Sequence, residues 1–280
     1  MTNAQPITLG ISPCPNDTFI FHAMLHGLLG EHTFDFSLHM EDVETLNRLA
    51  RNGALDVTKI SYHMYGFLRD EYVALNSGAA LGRGCGPLLI APPGSSLPAL
   101  KDKIIAIPGR FTTANLLLQL MTGGHDKVRA MRFDKIVDAV ASGAVAGGLI
   151  IHETRFTYQE KGLIPLVDLG QWWEKKTGRP IPLGGIIARR NLGESAIRRL
   201  EEMIKESILY ARKHPESSKK FIKEHAQELS DEVINSHIDL YVNDFSVELG
   251  SEGRRAIETL FKAAEQLHII PKNDKPLWVI

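Results

Sequence analysis

Cysteine is scarce in this chain: Cys14 and Cys85 are the only two in 280 residues. Two cysteines build no disulfide framework and no CxxC clamp, and they suit a reducing compartment. The eleven histidines are scattered without HExxH spacing, so the pattern supports no metal site. An excess of one charge is also lacking, with 32 Lys and Arg against 33 Asp and Glu and a formal net charge of -1. A nucleic-acid partner needs clustered basic residues to neutralise phosphate, so none is expected. The densest basic stretch, ARKHPESSKKFIKEH, is interleaved with acids and reads as a solvated helix face. No apolar run reaches the roughly 18 residues of a membrane span. MTNAQPITLG has neither the basic nor the apolar region of a secretory signal. A cytoplasmic location and no membrane partner are therefore expected. Walker and GxGxxG phosphate loops are missing, and GRGCG follows no strand–helix pattern, so no dinucleotide site is expected.

What is present is an alternation of strand-like and helix-like segments, long enough for two compact α/β domains. ITLGIS reads as a strand, followed by a proline-stiffened turn in which Asn16 or Asp17 can cap a helix from about Thr18 to Leu29. EDVETLNRLARNG reads as a helix stopped at Gly53, LDVTKIS as a strand ending at Lys59-Ile60-Ser61, YHMYGFLRDEY as a short helix and YVALNSG as a strand. LGRGCGPLLIAPPGSS turns glycine-rich, then apolar, then rich in proline and serine, as a crossover between domains would. KIIAIPG is a strand, RFTTANLLLQLMTGG a helix beginning near Thr112 or Thr113, DKIVDAVASG a helix, and AVAGGLIIHE a strand ending at His152. PLGGIIARR reads as a second crossing, and Glu194 to His268 as almost wholly helical. The two halves echo one another loosely: strand, turn, threonine at a helix start, later a helix and a strand with a polar end. Residues 1–90 with 188–280 are expected to form the larger domain and 91–187 the smaller.

Ligands of open α/β sheets sit beyond the carboxyl ends of strands, near helix N-termini whose free N–H groups suit an anion. The polar clusters lie at such places, so the expected ligand is a small molecule with a carboxylate or a similarly polar group. His152 ends a buried strand and suits a proton acceptor near neutral pH; a structural histidine is the alternative. Lys59 and Ser61 end the matching strand of the other half, where a lysine can pair a carboxylate or simply sit on the surface. Thr112 and Thr113 either meet the ligand or only cap their helix. Asn47 falls on the stripe Val43, Leu46, Asn47, Ala50, the buried face of a helix, and its amide needs partners from backbone or ligand. Cys14, Asp17 and Thr18 are weaker cleft candidates. Nothing local in the sequence shows a paired histidine that would activate the Cys14 thiol, and a small buried cysteine is the commoner case.

SPCPNDTFIFHAMLHG, EDVETLNRLA, TKISY, ALGRGCGPLL, PGRFTTA, GLIIHETRFTY, DLGQWWE and LSDEVINSHIDLYVN together resemble the 1,4-dihydroxy-6-naphthoate synthases of the futalosine route to menaquinone. The resemblance spans nearly the whole chain. It implies a two-domain, type II periplasmic-binding-protein-like fold with its site in the interdomain cleft. It implies a lyase that needs no cofactor and cleaves cyclic dehypoxanthine futalosine to 1,4-dihydroxy-6-naphthoate and dihydroxyacetone. The family's histidine base matches His152, and its substrate-contact stretches match Lys59-Ile60-Ser61 and Thr112-Thr113. A non-catalytic solute-binding protein for a small carboxylate, cytoplasmic or tethered, and the related chorismate dehydratase are the competing readings. A homodimer is compatible with this composition.

Overall fold

Residues 4–30, 33–226 and 230–279 are described by the computed structural model. The chain opens with β1 (Gln5–Ile11), α1 (Pro15–Leu25), β2 (Phe34–Met40), α2 (Val43–Arg51), β3 (Val57–Ser61), α3 (Tyr62–Tyr65), β4 (Tyr72–Ala74) and β5 (Ala80–Gly82). It continues through β6 (Leu88–Ala91), β7 (Ile105–Ile107), α4 (Thr113–Thr122), β8 (Val128–Ala130), α5 (Ile136–Ala141), β9 (Gly147–Ile150), α6 (Thr154–Thr157), β10 (Ile164–Asp168) and α7 (Leu169–Thr177). The long strand β11 (Ile181–Arg189) then leads into α8 (Glu194–Lys213), α9 (Lys219–His225), α10 (Asp231–Tyr241), α11 (Asp244–Val247) and α12 (Gly250–Gln266). Among the described residues no helix is long and apolar enough to cross a membrane.

Two sheets result, and they share one plan. The first runs β2-β1-β3-β11-β4, with β5 also on β11; the second runs β8-β7-β9-β6-β10. In each, three parallel strands stand beside an antiparallel strand: β11 against β3, and β6 against β9. The loose echo between the halves is therefore a repeat of topology. It places the ends of β3 and β9, and the starts of α1 and α4, at equivalent positions of the two lobes.

Sheet membership differs from the sequence boundaries in detail. Divisions at 90/91 and 187/188 would cut through β6, which belongs to the second sheet, and β11, which belongs to the first. PLGGIIARR is a full strand paired with β3, β4 and β5, because its apolar residues are buried by the sheet on both sides. Strand β2 has no counterpart in the sequence reading, although Phe34, Phe36, Leu38 and Met40 alternate at strand period. Its outward positions are exposed, which weakens the signal to that of an edge.

Apolar faces hold each lobe together. Ile7, Leu9 and Ile11 of β1 pack with Phe19, Phe21 and Met24 of α1 and with Leu200, Ile204 and Ile208 of α8. Ser207 of α8 donates to the Ile20 carbonyl and accepts from Met24 N–H, which ties the C-terminal helices to the first lobe. Leu88, Ile90, Ala106, Ile136, Val140 and Ile150 form the core of the second lobe. At the first crossing, Gly86 and Gly170 touch backbone to backbone, and a Cβ on Gly86 would fall on the main chain of Gly170. Backbone cannot swing aside as a side chain can. Gly86→Ala is therefore expected to destabilise by about 1–3 kcal/mol, seen as a lower urea midpoint; an unchanged midpoint would show that the crossing has slack.

Candidate active site between the lobes

Helix α1 begins at Pro15, whose fixed φ suits a first helical position, with Cys14 as N-cap and no side-chain cap bond. The start is earlier than the expected Thr18, because the prolines pre-set the first turn. Asp17 does not cap the helix as expected. Its Oδ2 accepts from Ser12 N–H at 3.2 Å and Ser12 Oγ at 2.7 Å, and its Oδ1 accepts from Asn16 Nδ2 at 2.9 Å and Lys59 Nζ at 2.5 Å. Both partners of the Lys59–Asp17 pair are buried. The ammonium expected to await a ligand carboxylate is thus already paired within its own lobe. Thr18 is also turned away from the cleft, its hydroxyl donating to the carbonyls of Cys14 and Pro15. Cys14 is buried behind this wall, and burial, with the Glu153 and Asp17 carboxylates, pushes its thiol well up. A thiol held protonated is a poor nucleophile.

Asn47 is completely buried and fully used by protein. Its Oδ1 accepts from Ser61 N–H at 3.0 Å, while Nδ2 donates to Glu44 Oε2 and Ser61 Oγ at 3.1 Å and to the Phe111 carbonyl at 3.4 Å. It braces α2 against β3 and against the second lobe. Glu44 reinforces that brace by accepting from Phe111 N–H at 3.3 Å. Arg51 lies over the Phe111 ring. A Cβ on Gly109 would strike the Glu44 carboxyl, so that glycine permits the close approach.

In the second lobe Thr112 is the N-cap of α4 and accepts from Asn115 N–H. The hydroxyls of Thr112 and Thr113 donate to the carbonyls of Gly109 and Leu183. Thr112 therefore sets the helix start, Thr113 ties it to β11 of the first lobe, and Ala114 joins them in lining the cavity. His63, from α3, stands beneath this start with Nδ1 3.2 Å from the Thr112 carbonyl, and burial pushes its pKa down to about 4.

His152 follows β9 with φ 57, a left-handed conformation that a side-chain-bearing residue adopts at a cost. Its ring packs edge-on against Phe133, at 5.1 Å, and lies parallel to the ring of His237, at 6.0 Å. It keeps a partly open face on the cavity. Burial pushes its pKa down to about 4; the Asp17 charge opposes this and the Lys59 charge adds to it. At neutral pH the ring is a free base.

One cavity gathers Asp17, Lys59, Ile60 and Ser61 from the first lobe with Thr112, Thr113 and His152 from the second. Asn47, Cys14 and Thr18 do not line it. Its volume of about 70 Å³ is far below the several hundred Å³ of a ligand pocket. The lobes are closed upon each other, and an organic substrate requires them to part.

A sequence model described as menaquinone biosynthesis matches residues 7–266. A 1,4-dihydroxy-6-naphthoate synthase of Thermus thermophilus is 51% identical, covering 98% of this chain and 100% of the relative. The chain belongs to the menaquinone biosynthesis family. A second 1,4-dihydroxy-6-naphthoate synthase, from Streptomyces coelicolor, is 42% identical, covering 96% of both chains. A crystal structure of an Archaeoglobus fulgidus protein superposes with a TM-score of 0.89 at 35% identity, covering 96% of this chain and 100% of that one. The aliphatic sulphonate binding protein of Escherichia coli matches at 0.67 and 12% identity, covering 98% and 91%. That likeness concerns architecture alone, and it is the periplasmic-binding-protein fold.

Three polar groups of this family member's cleft region escape the sequence reading: Glu44, Glu153 and His237. His237 carried a legible signal, since Ile234, His237 and Tyr241 mark the buried face of α10 just as Asn47 marked that of α2. Glu153 had none, as a carboxylate after a strand reads as solvated.

Two outcomes follow from these buried charges. Lys59→Met strands the Asp17 carboxylate without its cation and is expected to destabilise by about 3–5 kcal/mol, measured by chemical denaturation. His63 takes its proton far more readily in the unfolded chain than in the folded one. Its contribution is complete above pH 6.5 and is lost as pH falls from about 6.5 toward 4. His63→Gln should flatten that acid limb by up to about 3 kcal/mol, read from melting temperatures between about pH 7 and pH 4.

Proposed function

We propose that this chain is a 1,4-dihydroxy-6-naphthoate synthase, a carbon–carbon lyase acting on cyclic dehypoxanthine futalosine with His152 as general base. The observation that carries the proposal is a free-base imidazole that opens on the same cavity as the buried Lys59–Asp17 pair of the facing lobe. Two near-full-length relatives bearing that activity's name support it.

In this reading the lobes open, take the substrate and close around it, excluding water. The first turn of α4, where Thr113 and Ala114 line the cavity, offers the amides and positive dipole end that suit the substrate carboxylate. His152 removes a proton from a sugar hydroxyl. The carbon–carbon bond then breaks in a retro-aldol sense, its electron pair settling into the ring that becomes the aromatic diol, and dihydroxyacetone departs. Aromatisation supplies the driving force. Lys59 spends one N–H on Asp17 and retains others to steady the oxyanion developing on the ring.

His152→Ala is expected to lower turnover by about 10²–10⁴-fold while far-ultraviolet circular dichroism stays unchanged. The measurement is naphthoate absorbance after mixing with cyclic dehypoxanthine futalosine, with chorismate as a control substrate that should give no product. Near-wild-type turnover by a folded variant would end the proposal, and binding without product would favour a solute-binding role. With His152 held down to about 4, kcat/KM of the wild type should stay level through pH 6.5 and fall only nearer pH 4, because protonation removes the base.

A further inference from the structure

Behind His152 four groups meet that the proposed reaction does not use together. Cys14 Sγ, a ring nitrogen of His152 and a carboxylate oxygen of Glu153 all lie within 4.8 Å of one another. His237 closes the remaining side, with Nδ1 3.7 Å from Glu153 Oε2. Around a tetrahedral zinc ion, bonds of about 2.0–2.3 Å place neighbouring donors roughly 3.3–3.8 Å apart. The His237–Glu153 separation meets that spacing, and the wider ones need an inward shift of about 1 Å. Three separate segments supply the donors: the cap of α1, the end of β9 and the middle of α10. Hence no Cys/His spacing announces the cluster in the sequence.

A second observation points to a cation there. Asn16 Nδ2 donates to Asp17 Oδ1 at 2.9 Å, which orients the amide, since a carboxylate only accepts. Asn16 Oδ1 then accepts a hydrogen bond from His237 Nε2–H at 2.9 Å. A neutral imidazole carries one N–H, so Nδ1 presents a bare lone pair. That nitrogen is completely buried, has no hydrogen-bond partner among the described residues, and faces the Glu153 carboxylate. A buried lone pair that meets no donor is left unsatisfied unless a proton or a cation reaches it.

We propose that Cys14, His152, Glu153 and His237 form a binding site for a zinc-class divalent cation, and that its occupancy silences the enzyme by taking the His152 lone pair. A sulfur, imidazole and carboxylate donor set selects zinc, or cobalt as its spectroscopic substitute, over magnesium and calcium. Binding replaces the Cys14 thiol proton, which leaves to solvent. The ion enters through the cleft along the open face of His152. The inhibitory part rests on His152 being the base; the binding part stands without it.

The test is titration of the full-length protein with cobalt(II), read by thiolate-to-cobalt charge-transfer absorption and by displacement with zinc. One equivalent should bind with that band. Cys14→Ser should lose the band, and His237→Gln should weaken binding by about 10–100-fold or more, both with wild-type circular dichroism. Zinc anomalous scattering from a crystal of unaltered protein should locate the ion among the four groups, whatever the variants do to folding. Zinc should abolish turnover, and a chelator should restore it. No stoichiometric binding, as when a shared proton fills the gap instead, overturns the site, as does a band that survives in Cys14→Ser. Stoichiometric binding with turnover unaltered overturns the inhibitory part and the role of His152 as base.

Discussion

The buried ion pair between Lys59 and Asp17 organises the cleft. It joins the end of β3 to the first turn of α1, two places where the chain would otherwise leave a cation and an anion separately buried. Breaking such a pair leaves an uncompensated charge, which is far more costly than the pair itself is stabilising. Asp17 also orients Asn16, and Asn16 orients His237, whose ring lies parallel to that of His152. One salt bridge in the first lobe thereby reaches the candidate base of the second through two side chains.

The matching topology of the two sheets explains why the site lies where it does. Each lobe brings a third parallel strand and a first helix start to the same edge, and the lobes face each other with those edges together. In one lobe the strand end carries Lys59, Ile60 and Ser61; in the other it leads to His152. The division of labour is chemical, with paired charges on one wall and a neutral, partly open imidazole on the other. Fixed dipoles and a neutral imidazole inside a closed space suit proton abstraction followed by charge delocalisation.

Closure is held by hydrogen bonds between the lobes. Glu44 and Asn47 of α2 reach the backbone of Phe111 in the facing lobe, and Arg51 covers its ring. Burial pushes the Glu44 carboxyl up, despite the hydrogen bonds it accepts. A clasp made of a few hydrogen bonds at the rim, each worth about 1 kcal/mol net, is weak enough to open for substrate. The stiff parts of the site stay inside the lobes, where each strand end and helix start belongs to its own core.

The sequence by itself determined the local facts. Strand period and threonines before α4 are set by backbone preference and nearest neighbours, so Lys59, Ser61, Thr112, Thr113 and His152 were all legible as strand-end or helix-start groups. Partnership was not legible, because a hydrogen bond is made by whichever groups the fold brings within about 3 Å, irrespective of their separation along the chain. Only the tertiary structure decided that Asp17 neutralises Lys59, that Asn47 braces the lobes, and that His237, 221 residues from Asn16, sits behind His152. Propensity acts over a few residues, whereas burial and charge pairing act through space.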